Sequence, residues 1–183
     1  MSIKMDYYYN QIGNEFIPSL NIHDVINGRQ DFVGCFIMRV NDKPVLNDYE
    51  TYPENKIYTD MDWIAWLGTQ FMKSLITFEK KSDSYSYIHF LEYRGGKGLE
   101  IHLKSEDTVC INYVSSGIDW FSFDNKKENL EYYWRNEEVL LSEYKEAIYL
   151  YCKKIYEEYN CLNQLIKDSL YPEFENNYKH LYL

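Results

Sequence analysis

Alanine is almost missing from this chain: Ala65 and Ala147 are the only two in 183 residues. Tyrosine, by contrast, occurs 20 times. Tyr, Asn, Ile, Lys and Phe use A/T-rich codons and Ala uses G/C-rich ones, so base composition accounts for much of this profile. Tyr is also a residue of binding surfaces, because it gives large contact area at low entropic cost. No run of about eighteen apolar residues exists, which excludes a membrane-spanning helix. Met1 to Tyr9 carries Lys4 and Asp6 and lacks the apolar stretch of a signal peptide, so the expected location is the cytoplasm. The four cysteines, Cys35, Cys110, Cys152 and Cys161, form no C-x-x-C pair and sit in apolar-patterned segments. They read as free core thiols.

What is present bounds the class. With 45% apolar and 26% charged residues the chain can bury a core and is not wholly disordered. Asp plus Glu number 29 against 19 Lys plus Arg, a net charge of −10. Such a field repels nucleic acid and anionic membranes and attracts basic protein surfaces; it also serves simple solubility. No stripe of Lys or Arg interleaved with aromatics marks a nucleic-acid site.

Along the chain, a first strand is expected at Met5 to Ile12 and a turn at Ile26-Asn27-Gly28. Phe32 to Val40 reads as a strand apolar on both faces, followed by turn chemistry at Asn41-Asp42-Lys43-Pro44 and a return strand from Val45 to Tyr49. Thr59 or Asp60 is positioned to cap a helix with the stripe Trp63, Trp66, Leu67, Phe71, Leu75 and Phe78. Residues 85–113 alternate as a three-stranded meander, with Ile118 to Phe123 a candidate fourth strand. A two-residue loop at Gly95-Gly96 would pair Ile88 with Leu103, and the turn Ser105-Glu106-Asp107 would pair Ile101 with Ile111. Beyond Asp124 the chain reads as helical. Asn136 would cap a helix carrying Leu141, Tyr144, Ile148, Tyr151, Ile155, Tyr159, Leu162 and Ile166, breaking near Asn160 or before Pro172. The expectation is an α+β fold. In it an antiparallel β-sheet, a hairpin plus a three- or four-stranded meander, packs on one amphipathic helix. Residues 1–124 form the core domain, and 125–183 a long C-terminal helical segment packed on it.

Catalytic chemistry finds little support. No G-x-S-x-G elbow is present, and no Ser or Cys stands in an activating turn. Arg94-Gly95-Gly96-Lys97-Gly98 lacks phosphate-loop spacing and leads into a strand, so it reads as a hairpin turn. In the meander register above, His89 faces His102 and His102 adjoins Cys110. Those are zinc-compatible ligand types, but three adjacent strands set them in a row and not around a point. Asp60 and Asp62 are explained by the helix dipole. No catalytic residue, metal or cofactor is assigned. A small metal-dependent hydrolase using His89, His102 and Cys110 is the enzymatic alternative, and an adaptor pairing through the C-terminal helix is a structural one.

Leu20-Asn21-Ile22-His23-Asp24-Val25-Ile26-Asn27-Gly28, then Asp31-Phe32-Val33-Gly34-Cys35-Phe36, the hairpin at Val40-Asn41-Asp42, the tryptophan-bearing helix and the meander carry a resemblance. Over residues 20–113 the chain resembles the small acidic immunity proteins of bacterial polymorphic and contact-dependent toxin systems. The resemblance implies a stoichiometric inhibitor, not an enzyme, that masks the active site of a toxin (a nuclease is one case) and binds a basic protein partner. A phage- or plasmid-encoded inhibitor of a host nucleic-acid enzyme would share the same acidic surface. On that reading the candidate interface is the acidic, tyrosine-bearing stretch with Asp42, Asp48, Tyr49, Glu50, Tyr52, Glu54, Tyr58, Asp60 and Asp62.

Overall fold

The computed structural model describes residues 3–8, 33–45, 61–80, 84–90, 96–115, 131–160 and 172–183. It is α+β, with two antiparallel sheets and three helices among those residues. In the first sheet β2 (Val33–Val40) is central. Strand β1 (Ile3–Tyr8) pairs along one side of it, with Tyr7 opposite Phe36. On the other side β3 (Lys43–Val45) and β4 (Met61–Trp63) pair with its two ends. Phe36, Met38 and Val40 are buried, while Ile37 and Arg39 on the opposite face are half-buried, so over residues 36–40 that second face is only partly covered.

The β2–β3 turn is tighter than its sequence suggested. Asn41 and Asp42 alone make it, with φ of 49° and 68°, the two left-handed residues of a type I′ turn. Strand β3 therefore starts at Lys43, two residues before the expected return strand, and Leu46 to Tyr49 of that expectation lies outside the described residues. So do Ile26-Asn27-Gly28, Ile118 to Phe123, Leu162 and Ile166.

Helix α1 (Ile64–Glu79) buries Leu67, Phe71, Leu75 and Phe78 at the expected spacing of four, four and three, and Ile64, Ala65 and Met72 besides. Its start is corrected: Met61–Trp63 pairs with β2, so Trp63 is a strand residue and Asp62 lies in that strand, not at a helix N-terminus. Trp66 packs half-buried against the core.

The second sheet runs β5 (Tyr85–His89), β6 (Lys97–Leu103), β7 (Thr108–Ser115) and β8 (Glu131–Leu140) in spatial order. The turn at Ser105 to Asp107 gives the expected pairing of Ile101 with Ile111. The β5–β6 register differs by four residues, with Ile88 opposite Leu99 and not Leu103. This register does not put Gly95-Gly96 at a two-residue loop; the Phe90 N–H donates to the Lys97 carbonyl at 3.0 Å, and residues 91–95 lie outside the described residues. Because four is even, the core face is unchanged.

Glu131–Leu140, expected to be helical, is the fourth strand. Two bulges hide its alternation, at Tyr133 and at Arg135-Asn136, where Asn136 has φ of 60°. Asn136 is thus a bulge residue and no helix cap. Helix α2 (Leu141–Asn160) begins five residues later, with Glu143 accepting from the Leu140 N–H, and it ends where Asn160 was expected to break it. Helix α3 (Pro172–Tyr182) lies across α1, with Phe174 and Tyr178 buried.

Both sheets and all three helices share one buried cluster. The first sheet is also tied down at its rim. Lys154 on α2 donates to Asp6 and to the Tyr7 carbonyl, and the Tyr7 hydroxyl donates to Glu158. At the other end of β2, Asn41 donates to Glu137 and to the Glu138 carbonyl, Lys43 pairs with Glu137, and the Trp134 indole N–H donates to the Pro44 carbonyl. The hairpin tip is thereby fixed to β8. No helix among the described residues is long and apolar enough to cross a membrane.

Gly98 is a position where the β5–β6 pair leaves no room: a Cβ there would strike the Tyr87 hydroxyl and come within 2.5 Å of the Ile88 carbonyl oxygen. Gly98→Ala is expected to cost about 2 kcal/mol and lower Tm by roughly 4–8 °C. An unchanged calorimetric Tm would show that these strands separate freely.

Candidate functional site

Alternation along the second sheet sends Ile88, Leu99, Ile101, Val109 and Ile111 into the core. The intervening residues form the opposite face: Tyr85, Tyr87 and His89 on β5, Glu100 and His102 on β6, Cys110 and Asn112 on β7, and Tyr132 on β8. Glu100 lies in the middle of that face and is only 3% exposed. The Asn112 amide donates to one carboxylate oxygen at 3.2 Å and the Tyr85 hydroxyl to the other at 3.4 Å. The Tyr132 hydroxyl is hydrogen-bonded to the same carboxylate. Asn112 in turn accepts, through Oδ1, the backbone N–H of the bulge residue Asn136 at 2.8 Å. One carboxylate thus links side chains from all four strands.

Burial first, and the charge of Glu100 second, push the Tyr85 and Tyr87 hydroxyls well above the ordinary tyrosine pKa. The same two causes raise Tyr132. Burial lowers the His89 imidazole, and burial with Glu138 nearby raises the Cys110 thiol. A thiol shifted in that direction holds its proton and is a poor nucleophile or metal ligand.

His102 faces Cys110, as the spacing predicted. His89 does not join them. The four-residue shift places it opposite Gly98, and Tyr85 occupies the position opposite His102, ring centroids 4.8 Å apart. Among the described residues no group of three His, Cys, Asp or Glu side chains could hold a metal ion. Cys110 and Cys152 are free thiols; Cys152 is buried in the core, and Cys110 is half-buried on the outer face.

Of the expected interface, Asp42 is exposed at the hairpin tip and Asp62 lies in β4. Asp48, Tyr49, Glu50, Tyr52, Glu54, Tyr58 and Asp60 lie outside the described residues. Glu100, Asn112, Tyr85, Tyr87 and Tyr132 were not singled out by sequence. For the first four the only signal was the period-two pattern, which marks them as outward and says nothing of burial; Tyr132 lay in a stretch that read as helical.

A cleft of about 480 Å³ opens elsewhere, between the end of α1, the β6–β7 turn and the start of α2. Phe78, Leu103 and Leu141 form its floor. Glu79 and Lys145, paired at 3.1 Å, and Glu106 stand at its rim. Comparison with protein-family models, curated proteins and solved structures finds no match.

The raised tyrosines set an alkaline limit. A hydroxyl whose folded pKa lies above its unfolded value contributes stability that is complete below about pH 10 and is lost as pH rises toward the folded value. Buried Tyr178, pushed up to about 12, gives the scale of that window. In an absorbance titration at 295 nm, Tyr85, Tyr87, Tyr144 and Tyr182 are expected to resist ionisation past pH 10 and then to ionise together with loss of near-ultraviolet circular dichroism. Reversible titration of all 20 tyrosines near pH 10 with the fold intact would contradict this.

Proposed function

We propose that this chain is a protein-binding inhibitor without catalytic activity, and that it neutralises a basic bacterial toxin in the cytoplasm by covering its active site, as an immunity protein does. The state of the surface charge carries the reading. Lys43, Lys73, Lys104, Lys145, Lys153, Lys154 and Lys179 are each already paired with an acid of the same chain. Asp42, Glu106, Glu131 and Glu146 are exposed, and none takes part in an ion pair among the described residues. With Asp107 these acids outnumber the exposed bases that are likewise in no ion pair there, Lys4, Lys80 and Arg135, so the unpaired surface charge is acidic on balance, which accelerates encounter with a positively charged partner and disfavours nucleic acid.

Asp42 shows how such a charge can be presented rigidly. Its neighbours Asn41, Lys43 and Pro44 are fixed to β8, so the tip between them needs little ordering on binding. The segment that follows, with Asp48 and Glu50, remains the proposed contact region.

The test is co-expression with the product of the adjacent reading frame. Growth arrest by that product alone, relieved by this chain, is the expected result; a harmless product, or arrest that persists, would remove the reading. Asp48→Lys combined with Glu50→Lys is expected to weaken binding and to flatten its dependence on salt. Unchanged affinity at low salt would exclude the stretch from 42 to 62 as the interface.

A further inference from the structure

Trp134 and Glu137 stand three residues apart on β8, an odd step, so a regular strand would turn them to opposite faces of the sheet. Both nevertheless reach the β2–β3 hairpin. The Trp134 indole N–H donates to the Pro44 carbonyl, and Glu137 accepts from Asn41 and pairs with Lys43. The register explains this. Trp134 lies opposite Tyr113 and Glu137 opposite Ile111, both core residues, so Arg135 and Asn136 together face the single residue Asn112. That bulge brings the two side chains to one face. It is held in an unusual conformation: Asn136 has a left-handed φ of 60°, and its backbone N–H donates to a side chain, the Asn112 Oδ1, at 2.8 Å.

Asn112 accepts that N–H only while its amide oxygen faces β8. A flipped amide would set one donor against another at Asn136. Glu100 decides the orientation. Its carboxylate takes the Asn112 Nδ2 at 3.2 Å on one oxygen and the Tyr85 hydroxyl on the other, and it has no hydrogen to offer an amide oxygen. A glutamine at this position would meet Asn112 with either end. This gives a reason for burying an acid among neutral donors, where burial of a charge is otherwise unfavourable.

We infer that Glu100 and Asn112 are positioning residues for the β2–β3 hairpin tip. The carboxylate orients the amide, the amide holds the Asn136 bulge, and the bulge aims Glu137 at Asn41 and Lys43, the two neighbours of exposed Asp42. What this means for a partner rests on the reading above, in which Asp42 is presented rigidly; the link from Glu100 to the tip does not.

The test is NMR on the full chain and its variants, each first checked by its unfolding transition, reading hydrogen exchange at the Asn136 amide and the amide resonances of Asn41 and Asp42. Asn112→Leu should speed Asn136 exchange about tenfold and shift Asn41 and Asp42. Glu100→Gln should speed it about threefold, because the amide at 112 is then free to flip. Adding Asn112→Asp to Glu100→Gln should restore both readouts, since an acid at 112 accepts from the amide at 100 and from the Asn136 N–H alike. Tyr85→Phe, which removes the donor on the other carboxylate oxygen, should leave Asn136 exchange within about twofold. Should Asn112→Leu not fold, Glu100→Gln and the combined form decide. Unchanged exchange in Glu100→Gln, faster exchange with Asn41 and Asp42 in place, or an equal effect in Tyr85→Phe would each overturn the inference. A displaced tip with undiminished toxin relief would uphold it and take Asp42 out of the proposed interface. Absence of toxin relief by the unsubstituted chain would remove the function and leave these readouts standing.

Discussion

The ring of Phe36 meets Phe71 of α1, Phe90 after β5 and Tyr151 of α2, at centroid separations of 5.9, 5.9 and 5.6 Å. A fully buried aromatic of this kind contributes about 3–5 kcal/mol through its packing. Its position matters more than its magnitude. Because one side chain of the first sheet touches the second sheet and two helices, the two sheets cannot have separate cores. Each sheet commits one face to the shared interior. Among the described residues, the chemistry left over lies on the outer face of the second sheet, in the cleft beside α2, and at the rim where the hairpin tip meets β8.

How much of this was readable follows from how each element announces itself. The α1 stripe was legible because Leu67, Phe71, Leu75 and Phe78 keep one helical face, and burial on one face is what holds a helix in place. The pairing of Ile101 with Ile111 was legible because the intervening turn is short and polar. Strand β4 was not, since Asp60 and Asp62 before an apolar run look like a helix start. Strand β8 was not, since bulges shift its alternation twice and Glu137-Glu138 resemble a first helical turn. In β5–β6 the Gly95-Gly96 pair pointed to a two-residue turn, but the register of the two strands does not place the turn there. The exposed Asp42 could be picked out from its turn. Glu100 could not, because an outward acid in an alternating strand is ordinarily solvated, and nothing local distinguishes one that is buried.

Charge is used in two distinct ways. At the surface, lysines and acids of this chain meet in exposed pairs such as Lys73–Glu173 and Lys179–Glu175. Such pairs contribute at most about 1 kcal/mol each. Inside the second sheet one carboxylate organises a network in which every donor is neutral, so its field is not cancelled on the spot. The first use tempers the long-range field without removing a net charge of −10. The second buries a single charge among neutral donors.

The bonds from Lys154 to Asp6 and Tyr7 join residues 148 and 147 positions apart. Contacts of such separation reward the chain only after a large loop has closed, and their abundance is what slows folding in proteins of this size. The second sheet is built from consecutive neighbours and can assemble from local hairpins. The first sheet cannot secure β1 until α2 exists to receive it. The expected order of assembly is the meander early and the first sheet's outer strand late, with the β1 side of β2 open to pairing with other strands until then.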